Sequence, residues 1–324
     1  MSSVQWFILR ILFDLIAVIP FVVVSVVLYY LEPFKRGYFP NDDSLKYPYH
    51  SSTVRSIYLF TVAPLITILI IIATELIRAR SYGFETRYKH IPLIVLNLYK
   101  FLYLLGFGYA VVSMFVHIGK VVLGRLRPHF YDVCGPAVVA ETPYGYISEF
   151  TCTKSDAALI KDMRLSFPSG HAAYSMFPAV FIAVYLHYRM PDIGMGSALQ
   201  AFVQSAAVTA AFYVGMTRIS DYKHHWTDVL GGMIIGALVG IFNVSFSFTG
   251  IFLSYSYAEV RYASDVREFD VAEGEEQAPP KHLVIFGVEF IPRPRFCAFG
   301  PISSNPPPLP PSPYPTHHYT RAFF

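Results

Sequence analysis

Apolar residues in this chain gather into long runs, each close to the length that a bilayer demands. A membrane-crossing helix needs about 20 consecutive, mostly apolar residues. The runs extend roughly from Trp6 to Leu31, Ile57 to Ile77, Phe101 to Gly119, Ala172 to Tyr188, Ser197 to Met216 and Val229 to Leu253. They predict an all-α integral membrane protein, a bundle of six transmembrane helices. The first run carries Arg10 and Asp14 four residues apart near its N-terminal end, which reads as an ion pair reaching for the interface. That run is too long for a cleavable signal and lacks a small-residue cleavage site. In the last run, Gly232, Gly236 and Gly240 recur every four residues on one face, the spacing of a close helix–helix contact.

Polar connections set the orientation. Arg78, Arg80, Arg87 and Lys89 fall between the second and third runs, and short basic loops face the cytoplasm. With six spans, both termini are then cytoplasmic. The connections after the first, third and fifth runs face outward or into a lumen. Composition changes after the last run, so the chain divides into a membrane domain, 1–255, and a cytoplasmic tail, 256–324. The tail is acidic from Glu268 to Gln277 and proline-rich from Pro306 to Pro315. It reads as disordered. Its prolines favour polyproline II, which suits an SH3 or WW partner; the plainer alternative is an unliganded tail.

Overall composition agrees with a membrane protein. Hydrophobic residues make up 54 %, aromatics 17 % and charged residues 15 %, where soluble domains carry about 25 % charged residues. A formal charge of +3 with no basic stripe points to no nucleic-acid partner. Three cysteines are too few for a disulfide scaffold.

Three polar clusters break the apolar pattern, and the predicted topology puts all three on the outer face. The first is Lys120-Val-Val-Leu-Gly-Arg125-Leu-Arg127-Pro128. Lys120 and Arg127 are two helical turns apart and share a face if the helix continues to Pro128. Arg125 lies off that face and reads as a headgroup anchor. The second is Ser166-Phe-Pro168-Ser169-Gly170-His171. Pro, Ser and Gly ahead of an apolar run are helix-start signals, and amides at such a start bind anions. The third runs from Thr217-Arg218 to His224-His225-Trp-Thr-Asp228. If the stretch after Lys223 is helical, His224 and Asp228 lie on one face. A carboxylate there holds one imidazole nitrogen as donor and frees the other. Each cluster has a bland alternative: a lipid anchor, a plain helix cap, a solvated loop. Together they assemble cations, hydroxyl and amide donors, and two imidazoles, a set suited to phosphoryl transfer.

Lys-x6-Arg-Pro, Pro-Ser-Gly-His and Arg-x5-His-x3-Asp, in this order and between these spans, resemble the type 2 phosphatidic acid phosphatase superfamily. Gly-Arg-Leu-Arg-Pro-His-Phe (124–130) and Ser-Asp-Tyr-Lys-His-His-Trp (220–226) resemble its animal lipid phosphate phosphatases, as do Arg36-Gly-Tyr-Phe and Lys46-Tyr-Pro-Tyr49. The similarity covers about residues 5 to 255. Two departures stand out. Thr217 occupies a position where the family usually has Ser, which retains the hydroxyl. The loop between Lys120 and His171 lacks the sequon common in the family; Asn243-Val-Ser245 lies in a predicted span.

The resemblance implies a metal-independent enzyme without a cofactor, acting on phosphate monoesters of lipids. Phosphatidic acid, lysophosphatidic acid, ceramide 1-phosphate and sphingosine 1-phosphate belong to that class. It implies that His224 attacks phosphorus, that Asp228 orients it, and that His171 protonates the leaving alkoxide and then assists water. Lys120, Arg127, Arg218, Ser169 and the Gly170 amide would hold the phosphate. His225 is expected to be structural. The expected setting is the plasma membrane, with lipid phosphates as partners and a homo-oligomer compatible with the fold. A lipid phosphotransferase and a catalytically silent scaffold are the alternatives. In the outward loop, Cys134 and Cys152 are able to pair in an oxidising compartment; two free thiols are the other reading. Cys297 stands alone in the tail.

Overall fold

The computed structural model describes residues 3–82, 92–190, 196–245, 283–285 and 288–290. Two units separate, Met1–Val260 and Arg261–Phe324. In the first, long helices are α1 (Ser3–Tyr30), α2 (Ser56–Tyr82), α3 (Leu93–Leu123), α6 (Gly170–Arg189) and α7 (Gly196–Ser220), with α8 over Trp226–Ser245. Between α3 and α6 lie α4 (Phe130–Cys134), an antiparallel hairpin of β1 (Pro136–Glu141) and β2 (Ile147–Cys152), and α5 (Ala157–Asp162). In the second unit, β3 (Leu283–Ile285) pairs antiparallel with β4 (Val288–Phe290). Arg87 and Lys89, the end of the sixth run, Cys297 and the acidic and proline-rich stretches lie outside the described residues.

Among the described residues, five helices are long and apolar enough to cross a membrane: α1, α2, α3, α7 and α8. The fourth expected span, α6, is not among them. Its position accounts for its composition. Phe177, Phe181 and Tyr185 of α6 are fully buried, in one core with Ile71 of α2, Phe101, Leu105, Val112 and Val116 of α3, and Val244 of α8. A helix wrapped by protein has no need of lipid-grade hydropathy, and it can carry Ser175, Tyr185 and Arg189 inside. The outer helices show the converse: Phe13 of α1, Leu65 of α2 and Phe202 of α7 are exposed.

The glycines of α8 let it close on α6. A Cβ on Gly232 would collide with the Ser169 carbonyl, and one on Gly236 with that of Ala173. Backbone contact this close brings the start of α8 against the start of α6.

A polar-ended cap covers that end of the bundle. Its small core joins Tyr38 and Leu45 from the α1–α2 connection with Leu126, Phe130, Val133, Ile147 and Met163. Tyr38 pairs with Ile147 as an extra bridge to the hairpin, and a disulfide links Cys134 to Cys152. One expectation needs correction. Helix α3 does not continue to Pro128; it ends at Leu123, with Gly124 in the left-handed region at φ 52°. A side chain at Gly124 would collide with the Phe34 carbonyl, so both the conformation and the close approach require glycine.

Candidate active site

Four helix ends converge under this cap: the C-termini of α3 and α7 and the N-termini of α6 and α8. The Ser169 amide donates to the Asp228 carbonyl at 2.9 Å. Arg125 donates through Nη1 to Asp228 Oδ1 at 2.5 Å and to Thr227 Oγ1 at 2.8 Å. All three sequence clusters therefore meet at one end of the bundle.

His224 is buried, and its Nδ1 lies 2.7 Å from the Ser166 carbonyl. A carbonyl can only accept, so Nδ1 carries the proton and Nε2 holds the free lone pair. Burial holds this imidazole well below the usual histidine range, and the charges of Arg127 and Lys120 depress it further. It is neutral at pH 7.

Asp228 does not hold His224 directly, which corrects the expected pairing. Helix α8 starts at Trp226, so His224 precedes it and the four-residue helical geometry never forms. The His224 Nδ1 and Asp228 Oδ2 atoms stand 4.0 Å apart. Oδ2 accepts instead from Ser166 Oγ at 2.6 Å, from the His225 amide at 3.0 Å and from His225 Nδ1 at 3.2 Å. Asp228 thus acts as the N3 carboxylate of a helix cap. Besides that 4.0 Å approach, its link to His224 runs through Ser166, whose hydroxyl it anchors and whose carbonyl fixes the imidazole. His225 is a framework residue, also 3.3 Å from Ser44 Oγ through Nε2. Arg125, read as a lipid anchor, is in fact tied to Asp228. It fell off the expected face only because that face assumed a longer α3.

Ser169 sits at the N-cap of α6, yet its hydroxyl makes no cap bond. Its Oγ is buried and has no partner among the described residues. Lys120 Nζ lies 3.7 Å from where a Gly170 Cβ would be, which places the ammonium over the start of α6. The Arg127 guanidinium is held by Asp162, through Nε to its carbonyl at 2.9 Å and through Nη2 to Oδ1 at 2.6 Å. Arg218 bonds through Nη2 to Asp221 Oδ2 at 2.6 Å. Thr217 Oγ1 also accepts from Arg218, at 3.3 Å from Nε and 3.2 Å from Nη2, so the threonine hydroxyl has a use. His171 stands in the first turn of α6, its Nε2 3.2 Å from the Val54 carbonyl. Burial pushes it down to about 4, with Arg218 the next cause and Lys120 and Arg127 adding to it.

Three residues not singled out from the sequence join the site. Lys223 is buried, with Nζ 3.4 Å from the centre of the Tyr49 ring. Burial and then Arg127 lower it to about 8. Asp162 and Asp221 hold the two arginines. Five cations, Lys120, Arg125, Arg127, Arg218 and Lys223, thus face three carboxylates, Asp162, Asp221 and Asp228. Among the described residues, no group of three or more His, Cys, Asp or Glu could hold a metal ion.

A family model described as the PAP2 superfamily matches residues 101–252, which include all three polar clusters. The chain is 37 % identical over 227 residues to a "Putative phosphatidate phosphatase" of Drosophila melanogaster; the match covers 64 % of this chain and 60 % of that protein. It is 36 % identical to "Phospholipid phosphatase 1" of Rattus norvegicus, over 64 % of this chain and 74 % of the relative. Against "Phospholipid phosphatase 2" of Mus musculus the identity is 34 %, over 74 % and 84 %. No solved structure matches the chain.

Proposed function

The chain belongs to the PAP2 superfamily as an enzyme of the lipid phosphatase type, and from that premise we propose that it hydrolyses lipid phosphate monoesters through a phosphohistidine on His224. The observation that carries this reading is the fixed tautomer of His224. Its Nδ1 is committed to Ser166, so the lone pair of Nε2 is available amid surplus positive charge.

In the first step Nε2 attacks phosphorus and the bond from phosphorus to the lipid oxygen breaks. His171 gives its proton to the departing alkoxide. In the second step water attacks phosphorus, His171 takes its proton, and the P–N bond breaks to release inorganic phosphate. A bound phosphate dianion offsets the cations that depress His171, which lets it hold the proton that the first step needs. Lys120, Arg127 and Arg218 stabilise the equatorial oxygens, and the Ser169 hydroxyl and Gly170 amide donate to them. Asp228 keeps Ser166, and through it His224, in place.

The substrates proposed are phosphatidic, lysophosphatidic, ceramide 1- and sphingosine 1-phosphates, because the phosphate site lies at the end of apolar helices. We place this end outward or in a lumen, with α6 as the fourth of six spans and both termini cytoplasmic in the plasma membrane. The Cys134–Cys152 disulfide in the cap supports an oxidising side.

Rapid-quench measurement of acid-labile, alkali-stable phosphoprotein tests the two histidine roles. A general acid contributes about 10²–10⁴-fold, most for a poor leaving group. His171→Ala should nearly abolish phosphoenzyme from a lipid phosphate and retain much of it from an aryl phosphate. His224→Ala should form none from either. Phosphoenzyme in His224→Ala, or equal losses for both substrates in His171→Ala, would reverse the assignment.

A further inference from the structure

The α1–α2 connection carries none of the three motifs, yet it reaches into the site. The Thr53 amide donates to Asp221 Oδ2 at 2.8 Å, and Thr53 Oγ1 donates to Asp221 Oδ1 at 2.7 Å. Asp221 in turn holds Arg218 Nη2 at 2.6 Å. The next residue, Val54, presents its carbonyl to His171 Nε2 at 3.2 Å. One dipeptide thus touches the partner of the phosphate-binding arginine and the proposed acid.

We propose that Thr53, Val54 and Asp221 are positioning residues: a strap that fixes Arg218 against the phosphate and His171 against the leaving group as one unit. The second half rests on the acid role given to His171 above.

Asp221 and Arg218 are both buried, so the guanidinium has little freedom while the carboxylate is held. Thr53 uses both its donors on that carboxylate and thereby fixes it. The carbonyl of Val54 matters for a second reason. The charged groups that face His171, namely Arg218 on α7, Lys120 on α3 and Arg127 beyond it, all oppose its protonation, whereas the Val54 carbonyl favours it. His224, across the site, is neutral. The acceptor at Val54 therefore supports the protonated acid against its cationic surroundings. It does so in one geometry only, set by the clamp at Thr53.

Thr53 is itself exposed, so Thr53→Val removes one hydroxyl at nearly constant shape without disturbing the core. The full-length protein in detergent is compared with Thr53→Val and Thr53→Ser by two measurements. Inhibition by inorganic phosphate reads Arg218. Its inhibition constant should rise about 5-fold in Thr53→Val, as expected for one net hydrogen bond, and return to near normal in Thr53→Ser. The pH profile of kcat/KM reads His171. With lysophosphatidic acid, the alkaline limb of Thr53→Val should move down by about half a pH unit, because the protonated acid has lost support. With an aryl phosphate that leaves unaided, the limb should stay. A flat phosphate constant overturns the clamp on Arg218. An unmoved lipid limb, or equal movement for both substrates, overturns the link to His171. The His171→Ala comparison separates this from the underlying reading: equal losses on both substrates there would sink the acid role, and the phosphate constant would still decide the clamp.

Discussion

Two buried charged clusters lie at opposite ends of α6, and they differ in whether their charge is closed. Near its C-terminus, Arg189 meets Glu75 of α2 through Nε at 2.7 Å and Nη2 at 2.9 Å. Tyr185 adds a hydroxyl to the same carboxylate at 3.0 Å, and the guanidinium lies 5.3 Å from the Phe101 ring centre. Arg189 and Glu75 meet in two parallel bonds, so both carboxylate oxygens have donors, and Arg78 donates through Nη1 to the Arg189 carbonyl at 3.0 Å. At the N-terminus of α6 the cations outnumber the carboxylates, and Ser169 Oγ has no partner among the described residues. A closed cluster joins helices and asks for nothing more. An open one is incomplete until an anion enters. Buried charge alone does not mark a candidate anion site; the imbalance is what distinguishes this one.

The largest effects should divide along that line. Removing one member of a buried pair costs about 3–5 kcal/mol, because the other charge is stranded. Glu75→Ala should therefore lower the unfolding midpoint sharply, while the molecules that remain folded retain their rate of phosphate release. Arg218→Gln should show the opposite balance. Loss of a transition-state donor lowers turnover by about 10²–10³-fold, and Asp221 still keeps both Thr53 donors. Thermal unfolding and phosphate release, measured on the same preparations, give both numbers. If Arg218→Gln is as unstable as Glu75→Ala and still active, the contrast collapses.

How much of this was legible in the sequence follows from what each feature depends on. Lys120, Arg127, Ser169, His171, Arg218 and His224 could be picked out as candidates because few residue types suit a phosphate and their order between apolar runs narrows them further; the structure brings their three clusters to one end of the bundle. The glycine spacing of α8 likewise follows from the need for close approach. What failed turned on helix ends. Gly124 stops α3 a turn before Pro128, which moved Arg125 from the lipid face to Asp228. The third-motif helix starts at Trp226 rather than after Lys223, and this removed the direct bond from Asp228 to His224. Thr53 and Asp162 were invisible because their roles come only from tertiary contact, whereas Asp221, three residues from Arg218 within the third cluster, was quoted without a role. Hydropathy predicted α6 as a span like the others, but could not show that protein surrounds it.

Acid should separate the two ends by an intermediate amount. His129, His171 and His224 are all held below the ordinary histidine value of about 6.5, chiefly by burial. The unfolded chain takes up protons on them near 6.5, and the folded chain does so only at lower pH. The unfolded state then binds more protons, so stability falls as pH drops below about 6.5 towards 4. Inorganic phosphate should counter this, because an anion in the open cluster makes protonation of His171 easier. At a hundredfold excess over its dissociation constant it should also stabilise the fold by about 2.7 kcal/mol. Glu75→Ala should lower stability at pH 7 and leave the stabilisation by inorganic phosphate intact. A stability that is flat between pH 7 and 5, or indifferent to phosphate, would argue that the site end is as closed as the other.

The smallest effect on stability is also the most discriminating. Ser169 Oγ is buried without a partner among the described residues, and leaving a polar group in that state costs about 1–3 kcal/mol. Ser169→Ala removes the atom together with its penalty, so the variant should melt no lower than the parent and even slightly higher. Its activity should nevertheless fall. A hydrogen bond to a charged oxygen contributes about 1.5–3 kcal/mol, which corresponds to roughly 10–100-fold in kcat/KM. Ser166→Ala provides the control three residues away. That hydroxyl already donates to Asp228 at 2.6 Å, so its loss should lower the melting temperature as well as the rate. The two serines are both buried and differ only in what their hydroxyls meet. If Ser169→Ala instead destabilises the protein and leaves kcat/KM unchanged, its hydroxyl belongs to the framework, and the anion site must be drawn without it.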